Sequence, residues 1–132
     1  MNEKLIYTHL DSDIHSFRWL DVSPKTVDVY MSLLLEIRDG APSNSRLLIL
    51  HDYRGTGTPA FNTLADAMKK ILPRHDLTVR IAHLYSEMVY PITIKSASLV
   101  TGVNVNRKFF REQEEQKAIE WLLDDDTGEK SE

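Results

Sequence analysis

The segment His51-Asp52-Tyr53-Arg54-Gly55-Thr56-Gly57-Thr58 holds the residues best suited to recognition chemistry. It follows the apolar run Leu47-Leu48-Ile49-Leu50 and precedes Thr58-Pro59, a cap-plus-proline helix start. Arg54 has the planar donor fork that clamps a carboxylate or phosphate. Gly55 and Gly57 allow a sharp turn and close approach of the backbone to a ligand. The first amides of a helix opening at Thr58 lack internal partners and attract anions. Tyr85 and Ser86, at the end of the following strand, lie alongside if the two strands are neighbours. The candidate ligand- or partner-binding set is therefore Asp52, Arg54, Gly55, Thr56, Gly57, Thr58, Tyr85 and Ser86. A purely structural alternative stands beside it: Asp52 and Arg54 pair with each other, and Thr58 only caps its helix.

Other chemistry is thinly represented. Cysteine is absent, which removes disulfides, thiol nucleophiles and thiolate metal sites. The five histidines are scattered, with His9 and His15 flanking a turn, so no metal site is expected and no cofactor is implied. A hydrolase-like reading would use His51 and Asp52 as acid and base beside Thr56, but neighbouring strand residues point to opposite faces. No nucleophile elbow, phosphate loop or dinucleotide fingerprint occurs. No catalytic residues are assigned. Arg107, Lys108 and Arg111 near Phe109-Phe110 suggest a small basic patch for peripheral membrane contact.

The elements that must hold these residues follow from patterning. Residues 5–10 and the face His15, Phe17, Trp19 read as a hairpin around Asp11-Ser12-Asp13. Phe17 and Trp19 are core anchors or, on an edge strand, a homodimer surface. Ser23-Pro24 starts a helix whose apolar face is Val27, Tyr30, Met31 and Leu34. Leu47 to Leu50, without alternation, fits a strand covered on both faces. A helix from Thr58 to Leu72, with Phe61, Leu64, Ala65 and Met68 inward, ends at Pro73. A strand runs from Leu77 to about Tyr85, a helix from about Glu87 to Val100, a strand from Val103 to Phe110 and a helix from Glu112 to Leu123, with Ala118, Ile119, Leu122 and Leu123 inward. The order predicts an α/β fold: one mixed sheet of about five strands, an N-terminal hairpin followed by β-α repeats, flanked by about four helices.

With 132 residues, 42% of them hydrophobic, the chain has material for one core. Residues 1–123 read as one domain and 124–132 as an acidic, frayed tail. That tail carries five acids against one lysine, the whole of the formal charge of −4, which leaves 1–123 neutral overall. Such a balance gives no reason to bind nucleic acid. The charged start Met1-Asn2-Glu3-Lys4 and the lack of a long apolar run lead to an expectation of a cytoplasmic protein.

The strand end His51-Asp52-Tyr53-Arg54-Gly55 and the close from Phe110 through Ala118-Ile119-Glu120-Trp121-Leu122 resemble the STAS superfamily (sulfate transporter and anti-sigma-factor antagonist), nearest to its small stand-alone bacterial sporulation anti-sigma-antagonist-like branch. The resemblance implies a non-enzymatic regulatory module that recognises a partner protein or small anionic ligand at the loop 52–58. The family's phosphorylated Ser would fall in Thr56-Gly57-Thr58-Pro59, which contains no Ser, so Thr56 and Thr58 are only positional phosphoacceptor candidates. The alternative is a protein that binds a small apolar ligand or a lipid or membrane surface, with a pocket between sheet and helices.

Overall fold

A computed structural model describes residues 4–56, 76–86 and 105–124. These form β1 (Leu5–His9), β2 (Ile14–Trp19), α1 (Pro24–Gly40), β3 (Arg46–Asp52), β4 (Thr78–Tyr85), β5 (Val105–Arg111) and α2 (Glu115–Leu123). The sheet order is β1-β2-β3-β4-β5. β1 is antiparallel to β2, and β2 through β5 are mutually parallel. The α/β class and the single mixed five-stranded sheet are as expected. The helices expected over 58–72 and 87–100 lie outside the described residues, as does the tail beyond Asp124.

The hairpin turn has a specific cause. Leu10 N donates to Ile14 O (2.9 Å) and Asp13 N to Leu10 O (2.9 Å), with Asp13 at φ 67°. This is the three-residue loop whose last position is left-handed and usually glycine. Here aspartate takes it, one of the few non-glycine residues that tolerate that region. At the start of α1, Ser23 Oγ accepts from Thr26 N and Pro24 occupies the first turn, where its missing N–H costs nothing.

Strand parity sorts the core into two layers. On one sheet face, Phe17, Trp19, Leu47, Ile49, Tyr53, Val79, Ile81 and Tyr85 pack with Val27, Tyr30 and Leu34 of α1. On the other, Ile14, Leu48, Leu50, Ala82, Leu84 and Phe110 pack with Ala118 and Leu122 of α2. Nearly every side chain of β3 and β4 is buried, which is why Leu47 to Leu50 of β3 reads as an unbroken apolar run, while β4 buries Arg80 and His83 among its apolar residues.

Several expectations need correction. α2 starts at Glu115 rather than Glu112, because Arg111 to Glu114 form a turn in which Glu114 N donates to Arg111 O (2.9 Å) and Arg111 N to Glu114 Oε1 (2.8 Å). Leu123, expected inward, is exposed. Phe17 and Trp19 are wholly buried and β2 lies between two strands, so that face offers no homodimer surface. Arg107 and Lys108 alternate in direction, with Lys108 Nζ lying over the Phe110 ring, so the expected basic patch is split between the two faces. Among the described residues, no helix is long and apolar enough to cross a membrane.

Candidate functional site

His51 and Asp52 end β3 on opposite faces, and the loop that follows divides in the same way. On the α2 face, Asp52 and Arg54 form a bidentate pair: Arg54 Nε donates to Asp52 Oδ1 (3.0 Å) and Nη2 to Oδ2 (2.8 Å). Arg54 Nη2 also donates to Glu115 Oε1 (3.0 Å) and Nη1 to Glu112 O (3.1 Å). The fork expected to clamp an external anion is thus closed on two carboxylates and a carbonyl of its own chain. Burial raises the Asp52 pKa, but the Arg54 hydrogen bonds outweigh it and hold the carboxyl below its ordinary value.

The remaining loop residues are plainly placed. Thr56 N donates to Tyr53 O (3.1 Å), closing a turn, and Thr56 is half-buried. Gly55 is exposed and has no positive φ, so its turn does not demand glycine, contrary to expectation. A Cβ there would meet the Leu20 side chain at an ordinary 3.5 Å. Ser86 is half-buried just past β4. Gly57 and Thr58, with the helix-start amides expected there, lie outside the described residues.

The α1 face is built differently. Parallel register sets Phe17, His51, His83 and Phe109 side by side across four strands. Two residues further along, Trp19, Tyr53 and Tyr85 form a second row, with Tyr53 stacked on Tyr85 at 4.9 Å and on Trp19 at 5.9 Å between centroids. Both rows lie at the carboxyl ends of the parallel strands, where open α/β sheets meet their ligands. Of the expected site residues, Tyr85 belongs to this group. Arg54 does not.

This layer is buried yet rich in polar atoms. Tyr30 Oη and His51 Nε2 are hydrogen-bonded (2.9 Å), and His51 Nδ1 meets His83 Nδ1 at 3.4 Å. If Tyr30 donates to His51, then His51 Nδ1–H donates to His83 and His83 Nε2–H is left without an acceptor. If His51 donates to Tyr30, the chain reverses and His83 Nε2 becomes a lone acceptor. Burial drives both imidazoles to the neutral form, lowering His51 to about 3 and His83 well below its ordinary value, with the neighbouring His51 adding to the latter. Burial likewise raises the hydroxyls of Tyr30, Tyr53 and Tyr85, so all three stay protonated.

Among the described residues, four buried side-chain atoms have no hydrogen-bond partner: Trp19 Nε1, Tyr53 Oη, His83 Nε2 and Tyr85 Oη. All four belong to these two rows. Leaving such an atom unpaired costs about 1–3 kcal/mol, and native proteins hold few of them. Arg107 is on the same face, close enough to Tyr30, Tyr53 and Tyr85 for its charge to favour their ionised forms, although burial outweighs it.

From patterning alone Trp19 is a core anchor or an edge-strand dimer residue, and His51 and His83 count only among scattered histidines, His51 also as an acid–base candidate. A signal was present. The spacing aromatic-or-His, any residue, aromatic recurs as Phe17-Arg18-Trp19, His51-Asp52-Tyr53 and His83-Leu84-Tyr85, each time at a strand end. Period-two alternation puts each pair on one face, and parallel register aligns the pairs. A second group comes from the hairpin: His9, Asp13 and His15 have ligand-capable atoms within 4.8 Å of one another. The structure places together residues that sequence spacing had set apart as turn flanks.

Comparison with known proteins adds no relative: no family model, no curated protein and no solved structure matches the chain.

Proposed function

We propose that this chain is a non-enzymatic binding module of the STAS type, which takes a small anionic ligand at the carboxyl ends of β2 to β4, on the α1 face. The four partnerless polar atoms of Trp19, Tyr53, His83 and Tyr85 carry this reading. The Trp and Tyr groups are donors, and His83 is a donor in one tautomer. With the Arg107 guanidinium on the same face, the set suits an acceptor-rich anion such as a carboxylate or phosphate ester. The aromatic walls suit a ligand with an apolar body, so the apolar-ligand alternative merges with this reading.

Recognition accordingly moves from Arg54 to the neighbouring Tyr53 side of the same loop. Arg54, Asp52 and Glu115 then serve to lock the start of the loop against α2. His51 and Asp52, on opposite faces with separate partners, do not form the acid–base pair a hydrolase would need. Thr56 remains a positional phosphoacceptor candidate, and a partner protein would read the loop surface from outside.

Native mass spectrometry of protein purified without denaturation tests this. The wild type should carry a small bound mass that Tyr53→Phe/Tyr85→Phe protein loses or binds much more weakly. Bare protein in every preparation, or the same adduct in both proteins, would remove the assignment.

A further inference from the structure

We infer that the hairpin carries a surface site for one borderline divalent transition ion, of which Zn²⁺ is the type, ligated by His9, Asp13 and His15. It lies on the same sheet face as the aromatic rows but at the amino edge of the parallel strands, and does not depend on the function proposed above.

Register supplies the first argument. His9 and His15 are directly opposed across β1 and β2, their rings 4.4 Å apart between centroids and nearly parallel. Directly opposed residues are the closest cross-strand neighbours an antiparallel pair offers. The left-handed turn residue adds the third ligand: Asp13 Oδ1 sits 2.6 Å from His9 Nε2. Two imidazole nitrogens and one carboxylate oxygen are the donor set of three-ligand zinc sites, which leave a fourth position to water.

Tyr7 provides an outer shell. Its Oη is hydrogen-bonded to His15 Nδ1 at 2.7 Å, which fixes the ring and leaves Nε2 to coordinate. Ligating histidines are commonly held through their second nitrogen in this way.

Binding requires a small adjustment. Two ligand atoms on one tetrahedral ion with bonds of about 2.0–2.1 Å stand about 3.3 Å apart, so the His9–Asp13 contact must open by about 0.7 Å. The two side chains are 50% and 75% exposed, so both are free to move. The ion takes the place of the proton that now bridges them.

The test is Zn²⁺ titration of the untagged full chain by calorimetry, in a buffer that does not chelate metal. The expected result is one ion per chain with a dissociation constant of about 10 µM or tighter, weakened at least ~10-fold in His9→Gln, His15→Gln and Asp13→Asn. Wild-type protein with Co²⁺ should show the intense visible bands of a four-coordinate ion, a readout that needs no variant. Absence of saturable Zn²⁺ binding, or equal binding in wild type and His9→Gln/His15→Gln, would overturn the assignment.

Discussion

The two faces of the sheet handle buried polarity in opposite ways. On the α2 face the buried and half-buried charges of Arg46, Asp52, Arg54 and Arg80 are closed by protein. Arg80 Nη1 donates to Trp121 O (2.7 Å) and Asp124 O (2.8 Å), and Arg46 Nη2 to Leu122 O (2.8 Å), so two arginines satisfy carbonyls at the end of α2 and complement its negative pole. Arg54 and Asp52 close the other end of that helix. On the α1 face a polar chain runs inward through Tyr30, His51 and His83, and four atoms at the strand ends have no partner. Completed polarity is what a supporting layer needs. Polarity left short at the carboxyl edge of a parallel sheet is what a receptor for an acceptor-rich ligand needs.

The contrast is sharpest in the response to acid. His51 and His83 titrate below their unfolded value of about 6.5 when folded. The unfolded chain therefore binds protons the native state refuses. Stability is full above pH 6.5 and falls as the pH drops toward the depressed folded values. Two such groups give a slope approaching about 2.7 kcal/mol per pH unit below pH 6. Urea unfolding between pH 7.5 and 4.5 checks this, and His83→Phe should roughly halve the slope. Asp52 acts later: its depressed pKa contributes stability present above about pH 4 and lost only as the pH falls through its folded value. A slope appearing only below pH 4 would place the acid-sensitive groups on the wrong face.

Leu122→Ala tests the apolar part of the α2 face and should cost about 3 kcal/mol, because the wholly buried leucine leaves a cavity beneath α2. Arg54→Gln should cost about 1–3 kcal/mol at pH 7 by leaving Asp52 short of its partner, and less once the pH is low enough to protonate that carboxyl, whose folded pKa lies below its ordinary value. If instead Arg54→Gln left stability unchanged and abolished ligand retention, Arg54 would be restored as a recognition residue. Ser23→Ala should cost about 1 kcal/mol through the lost N-cap of α1, without affecting either polar system.

Sequence made the scaffold legible where one local rule sufficed. The strand expected from Leu77 to about Tyr85 matches β4, and the cap-plus-proline Ser23-Pro24 marked the start of α1. The site was legible only in part, because its members meet through register across β2, β3, β4 and β5. Tyr85 was reached by strand-end reasoning. Trp19, His51 and His83 were not, since an aromatic or histidine in a strand reads equally well as core. Arg54 misled for a physical reason: a fork that suits an external carboxylate suits Asp52, two residues away, equally well. His9, Asp13 and His15 escaped because cross-strand opposition follows from the exact turn, and the left-handed Asp13 sets it.

The most direct test of the account is the stability of refolded, ligand-free Tyr53→Phe/Tyr85→Phe protein, measured by urea unfolding at pH 7.5. Hydroxyls that are buried without partners cost stability, so their removal should leave the protein as stable as wild type or more so, by up to about 2 kcal/mol. A loss of about 1 kcal/mol or more per hydroxyl would show that both groups are already satisfied within the fold, and the α1 face would then be as closed as the α2 face.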